Sequence, residues 1–292
     1  MSQLITQIIY GCTIGAVYAL IALGFSMVFR AVGLLNFAHQ EFMMIGGLLG
    51  YSVLTRLGLP LPVTLLLITA ACGAGAIVLD KVGLWPIRAR RGPLINAIVA
   101  TIGWGIIMSN GSMFIWGPYS LSYPTFSQLK PLHLGSIALA PQYLFIFGVG
   151  ALVMVLLQLL LKKTMLGLAI RASAEKPSTA QLMGVPTNYV ISVTFAISGA
   201  MAGLAGMLIA SLYYASFDMG ILGLKSLAAA VLGGFGSIPG AMLGGIALGV
   251  IENLGSTYIS STYSDIIAYL ILILVLLIRP AGLLGSSGGS VA

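Results

Sequence analysis

KKTMLGLAIRASAEKPSTAQLMGVP, residues 162–186, is where this chain most plainly meets water. Nearly everything flanking it is apolar, so a polar insert of this length has to sit outside a bilayer. Met165 to Glu175 has the spacing of a short amphipathic helix. Pro177 stops it, because the residue before a proline avoids the α region. Ser178 then offers an N-cap, and Gln181, three positions on, completes a capping box. Gly184 suits the C′ position of this second short helix, with Pro186 just beyond. Two readings stand: a pair of capped helices held by another protein, or a solvated connector.

The flanks decide the class. Charged residues make up 7% of the 292 and hydrophobic ones 59%, with mean hydropathy +1.08. Soluble domains are not built this way. Successive apolar runs of about 20 residues match the hydrocarbon thickness of a bilayer. A barrel would alternate at every second residue, and LILILVLLI at 270–278 does not. The expected fold is an all-α polytopic membrane protein with about 8–9 hydrophobic segments, some broken or re-entrant. No basic region precedes Tyr10–Phe29, so that run reads as a resident span and not a cleaved signal. Cys12 and Cys72 lie in apolar runs and read as packing residues.

The spans read as 8–29, 34–52, 61–81, 94–115, 141–161, 188–213, 221–236, 238–256 and 263–279. The net charge of +7 comes with no basic patch interleaved with aromatics, which excludes a nucleic-acid partner and leaves the basic residues as topology signals. With 162–187 in the cytoplasm, Arg30, Lys81, Arg88, Arg90, Arg91, Lys162, Lys163, Arg171, Lys176 and Arg279 also face inward, which makes ten. Arg56, Lys130 and Lys225 make three outside. The N-terminus is then outside, the C-terminus inside, and the Pro/Tyr/Ser-rich stretch 117–140 an outer loop, periplasmic in the light of the resemblance given below.

Two stretches are interrupted. Residues 33–50 carry Gly33, Asn36, His39, Gln40, Glu41, Gly46, Gly47 and Gly50, and residues 233–249 carry seven glycines and Pro239. Spans seven and eight are short and read as half-helices of one re-entrant element. Gly11 and Gly15 precede the first break and Gly199 and Gly203 the second, in spans of opposite direction. That pattern fits either an inverted repeat with a pathway at its interface or plain close packing.

A carboxylate at bilayer depth costs at least roughly 2.5–3.5 kcal/mol. Asp80 and Glu175 fall at or beyond the cytoplasmic boundary and Asp218 and Asp265 near outer ends, which leaves Glu41 and Glu252. On a helix Asn36, His39 and Gln40 share one face, and Glu41 points about 100° away. Ala241, Gly245, Gly249 and Asn253 form a small-residue stripe with Glu252 beside it. The candidate substrate pathway is Asn36, His39, Gln40, Glu41, Gly245, Gly249 and Glu252. The alternative is that these groups satisfy broken backbone or pair with each other, which weighs more for Glu252.

No HExxH, GxSxG, CxxC or Walker A pattern occurs, so no catalytic residue is assigned. His39 and His133 are too few for a metal site, and no cofactor is expected. Uphill movement would draw on an ion gradient or on ATP hydrolysed by another chain.

IGAVYALIALGFSMVFRAVGLLNFAHQEFMMIGG at 14–47, WPIRARRGPLINAIVATIG at 85–103, GLAIRASAEKPSTAQLMGVP at 167–186, AAVLGGFGSIPGAMLGGIALGVIEN at 229–253 and RPAGLLG at 279–285 resemble the LivH-type permeases of branched-chain amino acid ABC importers. The resemblance runs nearly end to end. It implies one transmembrane permease domain over 1–292 in the bacterial inner membrane. It implies import of branched-chain amino acids or a similar small polar solute, since relatives also carry urea, short amides and aromatic acids. It further implies a LivM-type second permease, LivG- and LivF-type ATPases and a periplasmic solute-binding protein. In that light 162–187 is a cytoplasmic coupling loop, with Gly167, Arg171, Ala172, Glu175, Ser178, Ala180 and Gly184 as its coupling residues. Gln40 departs from the family, which usually has glycine there, and this puts the shape of the break and a purely aliphatic substrate in question. An ion-coupled secondary transporter is the competing function, and a structural membrane protein without a pathway the third.

Overall fold

The computed structural model describes residues 2–90, 92–123, 132–134, 137–260 and 263–285. Its helices are α1 (Ser2–Val32), α2 (His39–Arg56), α3 (Leu61–Val78), α4 (Trp85–Ala89), α5 (Leu94–Trp116), α6 (Pro141–Lys163), α7 (Met165–Glu175), α8 (Pro177–Leu182), α9 (Thr187–Ala210), α10 (Gly220–Gly233), α11 (Ile238–Tyr258) and α12 (Ser264–Ile278). A π-helical segment, Leu79–Leu84, joins α3 to α4. Each of the nine expected spans contains a helix, at nearly the expected bounds except that α1 begins six residues earlier and α2 five residues later than expected. Inside the 117–140 stretch, Leu132–Leu134 and Ile137–Leu139 pair as antiparallel strands. Lys130 and Arg91 lie outside the described residues.

Span eight differs from the expected half-helix. α11 has 21 residues, about 32 Å, enough for a hydrocarbon core of ~30 Å. Its glycines are packing positions inside a continuous helix. Among the described residues α10, with 14 residues and about 21 Å of length, does remain short.

The chain divides into two compact units. The first comprises Met1–Ser26, Thr125–Met154 and Lys225–Ala292, the second Met27–Pro124 and Val155–Leu224. In the first, α1 is the inner helix, and every side chain from Ala16 to Leu23 is at most 3% exposed. α11 lies on it, backbone to backbone. A Cβ on Gly11 would stand 2.7 Å from Val250 Cα, and one on Gly15 2.7 Å from Ile246 Cα. Gly245 and Gly249 return the contact against Ala19 and Gly15. Such glycines hold membrane helices together because lipid gives them no hydrophobic drive to associate. In the same unit Leu283 and Leu284 donate their backbone N–H groups to Leu232 and Gly233 carbonyls, each at 2.9 Å. The RPAGLLG motif thus straps the end of α10, beside the turn whose Gly234 and Gly236 have φ of +107° and +82°.

In the second unit α9 is the inner helix, and its glycine face takes two neighbours. Gly199 and Gly203 meet α3 at Cys72, while Gly203 and Gly206 meet α2 at Gly46 and Met43. A Cβ on Gly206 would stand 2.9 Å from Met43 Cα. The packing is exchanged: α2, which follows α1, packs on α9, and α11, beyond α9, packs on α1. Outward side chains such as Leu66 on α3 (72% exposed), Phe114 on α5 (93%) and Leu277 on α12 (75%) are solvated by lipid.

Gly206→Ala should drive a methyl into the α2 backbone and destabilise the fold by about 1–3 kcal/mol or more. Gly103→Ala meets open space and should be silent. Thermal midpoints of the two variants in one detergent check this.

Candidate functional site

The NFAHQE segment divides its tasks residue by residue. α1 ends at Val32 and Gly33 turns the chain with φ of +70°. Asn36 lies before α2, not on it, and its Oδ1 accepts the Ala38 N–H at 3.1 Å. The helical face expected for Asn36, His39 and Gln40 therefore does not exist, because the asparagine shapes the turn that starts the helix. The Phe37 N–H donates to Thr101 Oγ1 of α5 at 3.2 Å. His39 is 1% exposed, and its Nδ1 is 3.0 Å from Ser198 Oγ of α9. Glu41 does not point away from Gln40: both side chains line one cavity of about 490 Å³.

That cavity lies within the second unit. Phe37, Gln40 and Glu41 form one side, and Ile102, Gly105, Ile106, Ser109 and Asn110 of α5 the other, with Leu224 of α10 between. Gly220 is the first residue of α10, and a Cβ there would stand 2.7 Å from both Glu41 carboxylate oxygens. Gly223 likewise lets Gln40 approach, with 2.7 Å to its Cβ. Glu41 thus sits in the first turn of α2 and against the first residue of α10. Its carboxyl group, 8% exposed, lies close to two helix starts, whose positive ends favour a negative charge, yet its Oε2 takes no hydrogen bond from either. Helices broken at membrane depth with their N-termini aimed at a polar group are how transporters build substrate sites. The α5 lining was missed by sequence reasoning. Its signal was the run Ile102, Gly105, Ile106, Ser109 at helical spacing within an apolar span.

Among the described residues four other charges form two ion pairs. Lys225 Nζ donates to Glu252 Oε1 at 2.7 Å within the first unit, with side chains 10% and 15% exposed. A buried, paired lysine marks no side of the membrane, so Lys225 leaves the topology count. Gly245 and Gly249 belong to that same unit and face α1. Asp80 is fully buried. The π-helical segment turns it inward, where it pairs with Arg88 and accepts Ser192 Oγ at 2.6 Å. Arg88 leaves the count too, so the inward ten become nine and the outward three become two.

The 162–187 segment forms α7 and α8 as expected, with one correction. Pro177 takes the first helical position of α8 and Lys176 becomes its N-cap, without a side-chain bond. Proline suits that position, so Ser178 falls inside the first turn and caps nothing. Gln181 reaches instead to Thr187 Oγ1 at 2.6 Å. The side-chain cap is Thr164, which accepts the Gly167 N–H at 3.1 Å. Gly184, with φ of +84°, closes α8: its N–H bonds Gln181 O and that of Val185 bonds Ala180 O, both at 3.0 Å. Arg171 Nη1 donates to the Leu161 carbonyl, and a Cβ on Gly167 would overlap the same end of α6. These two residues fix α7 across the α6 terminus. Ala180 is buried, while Ala172 is half-buried and Glu175 and Ser178 are exposed.

Residues 7–276 match the family described as branched-chain amino acid transport system / permease component. The chain belongs to this permease family. It is 37% identical to the high-affinity branched-chain amino acid transport system permease protein LivH of Escherichia coli K12, over 96% of this chain and 94% of that one. Against the corresponding protein BraD of Pseudomonas aeruginosa it is 36% identical, over 96% and 95%. A probable LivH of Methanocaldococcus jannaschii is 29% identical over 91% of this chain and 88% of its own length. The chain is accordingly a multi-pass membrane permease.

Glu252→Gln in this permease should remove the negative charge that faces Lys225 and cost up to about 3–5 kcal/mol. Replacing both residues by methionine should cost less. Denaturation midpoints in mixed micelles give the comparison.

Proposed function

We propose that this chain is the membrane-spanning subunit of an ABC importer for branched-chain amino acids or a similarly small polar solute. The end-to-end likeness to permeases named for that transport carries the reading. The cavity between two helix starts supports it. The sequence has no phosphate-binding loop, so ATP is hydrolysed by partners of LivG and LivF type, alongside a LivM-type permease and a periplasmic solute-binding protein. The nine-to-two charge bias supports a periplasmic N-terminus and a cytoplasmic C-terminus. Asn36, His39, Gln40 and Glu41 shape the pathway, with Gly245, Gly249 and Glu252 holding the helices of the other unit.

The 162–187 segment docks on an ATPase. Leu182 and Met183 at its tip are 88% and 81% exposed, outside the spans, where lipid does not cover them. α7 is fastened to α6 by Gly167 and Arg171, so a push on the tip reaches a membrane span.

Two experiments test this. Proteoliposomes holding the full importer should accumulate leucine with ATP and fail to do so with an ion gradient alone; the reverse outcome favours the secondary transporter. Leu182→Asp with Met183→Asp should insert normally, lose ATPase on co-purification and lower uptake at least tenfold. Wild-type uptake would leave the segment a solvated connector.

A further inference from the structure

The cavity in the second unit offers acceptors and no charge to balance them. Glu41 is 8% exposed, and its Oε2 is buried without a hydrogen-bond partner. Gln40 gives its amide nitrogen to Glu41 Oε1 at 3.5 Å, which leaves the Gln40 Oε1 buried and unpartnered as well. Among the described residues no lysine, arginine or histidine lines the cavity. Buried acceptors left without donors are unfavourable, so this is a site in want of donors.

The remaining wall narrows what can supply them. Phe37, Ile102, Ile106 and Leu224 are hydrocarbon. Ser109 already donates its hydroxyl to Phe217 O, and Asn110 Nδ2 donates to Ile106 O. An anion would find a carboxylate and no charged donor. Gly220 and Gly223 keep the two acceptors in place, since a side chain at either would displace them.

The geometry points to a subsite for the ammonium group of an aliphatic amine or α-amino acid, with Glu41 Oε2 and Gln40 Oε1 as its acceptors and the Ile102, Ile106 and Leu224 wall taking its hydrocarbon. This rests on the transport reading and deepens it. Glu41 supplies the charge and Gln40 the second acceptor. A charge-assisted bond is stronger than a neutral one, so an ammonium is preferred to a neutral amide of the same shape, and a carboxylate is rejected. The site reads one end of the solute only.

The test is calorimetric titration of the full importer in nanodiscs, without the solute-binding protein. The probes are 3-methylbutylammonium, 3-methylbutanamide and 3-methylbutanoate, which share one hydrocarbon. The ammonium should bind at least tenfold tighter than the amide, and the carboxylate should not bind. Glu41→Gln should weaken the ammonium at least tenfold and leave the amide within about twofold, an expectation from the lost charge term. Gln40→Gly should weaken both. Ile106→Trp, at a position 59% exposed where the fold is not at risk, should crowd the apolar wall and weaken the ammonium and the amide alike. Equal binding of the carboxylate, an unchanged Glu41→Gln, or no binding to the wild type each overturns the proposal. ATP-driven leucine uptake by the same wild-type importer separates the failures: if uptake persists while the titration fails, only the ammonium subsite falls.

Discussion

The backbone contact between α2 and α9 is the constraint from which the second unit takes its shape. Gly46, Gly203 and Gly206 remove the side chains that would separate the two helices. The α2 backbone can then lie against α9, with His39 reaching Ser198. This fixes the rotation of α2, and the rotation decides which way Gln40 and Glu41 point. Close packing in a membrane is driven by dispersion and by the few polar bonds that the packing permits. The glycines provide the first and the His39–Ser198 pair the second. The cavity follows from that contact, because α10 starts where Glu41 would otherwise meet a side chain.

The spans were legible in the sequence because each is an apolar run of bilayer length, and helix position follows directly from that. α7 was legible too, since Met165 to Glu175 has amphipathic spacing and stops before Pro177; its Thr164 cap was not. What the sequence could not supply was rotation and pairing. Asn36 was placed on a helical face because the break before α2 has no mark that separates a turn from a first turn of helix. Lys225 was read as a topology charge because its partner Glu252 is 27 residues away on the next helix. The burial of Asp80 against Arg88 and Ser192 was not legible, because a π-helical segment, which turns it inward, leaves no clear pattern in the letters. The α5 side of the cavity carries small and hydroxyl residues that read equally well as packing.

Among the described residues the buried charges differ in what faces them. Those that hold the fold are paired: Asp80 with Arg88 and Ser192, Lys225 with Glu252, Asn253 with Gln7. Glu252 Oε2 and Arg88 Nε and Nη1 are buried without a partner too, but each belongs to a side chain whose charge is matched, whereas Glu41 has only the neutral Gln40 beside it and both keep an unpartnered oxygen at the cavity. Leaving buried acceptors unmatched costs stability, and a pathway for a solute that carries donors is where such a cost has a use.

Disulfide trapping across the α2–α9 contact is the most direct test of its role. A Cβ on Gly47 would stand 3.3 Å from Ala210 Cβ, close to the separation of about 3.8 Å that a disulfide favours. In a background with Cys12 and Cys72 replaced by alanine, Gly47→Cys with Ala210→Cys should cross-link under mild oxidation in membranes. Near-complete linkage of the folded protein is the expected result. Two free thiols after oxidation, in a protein that still transports, would mean that α2 does not lie on α9 and would contradict that contact as the origin of the cavity.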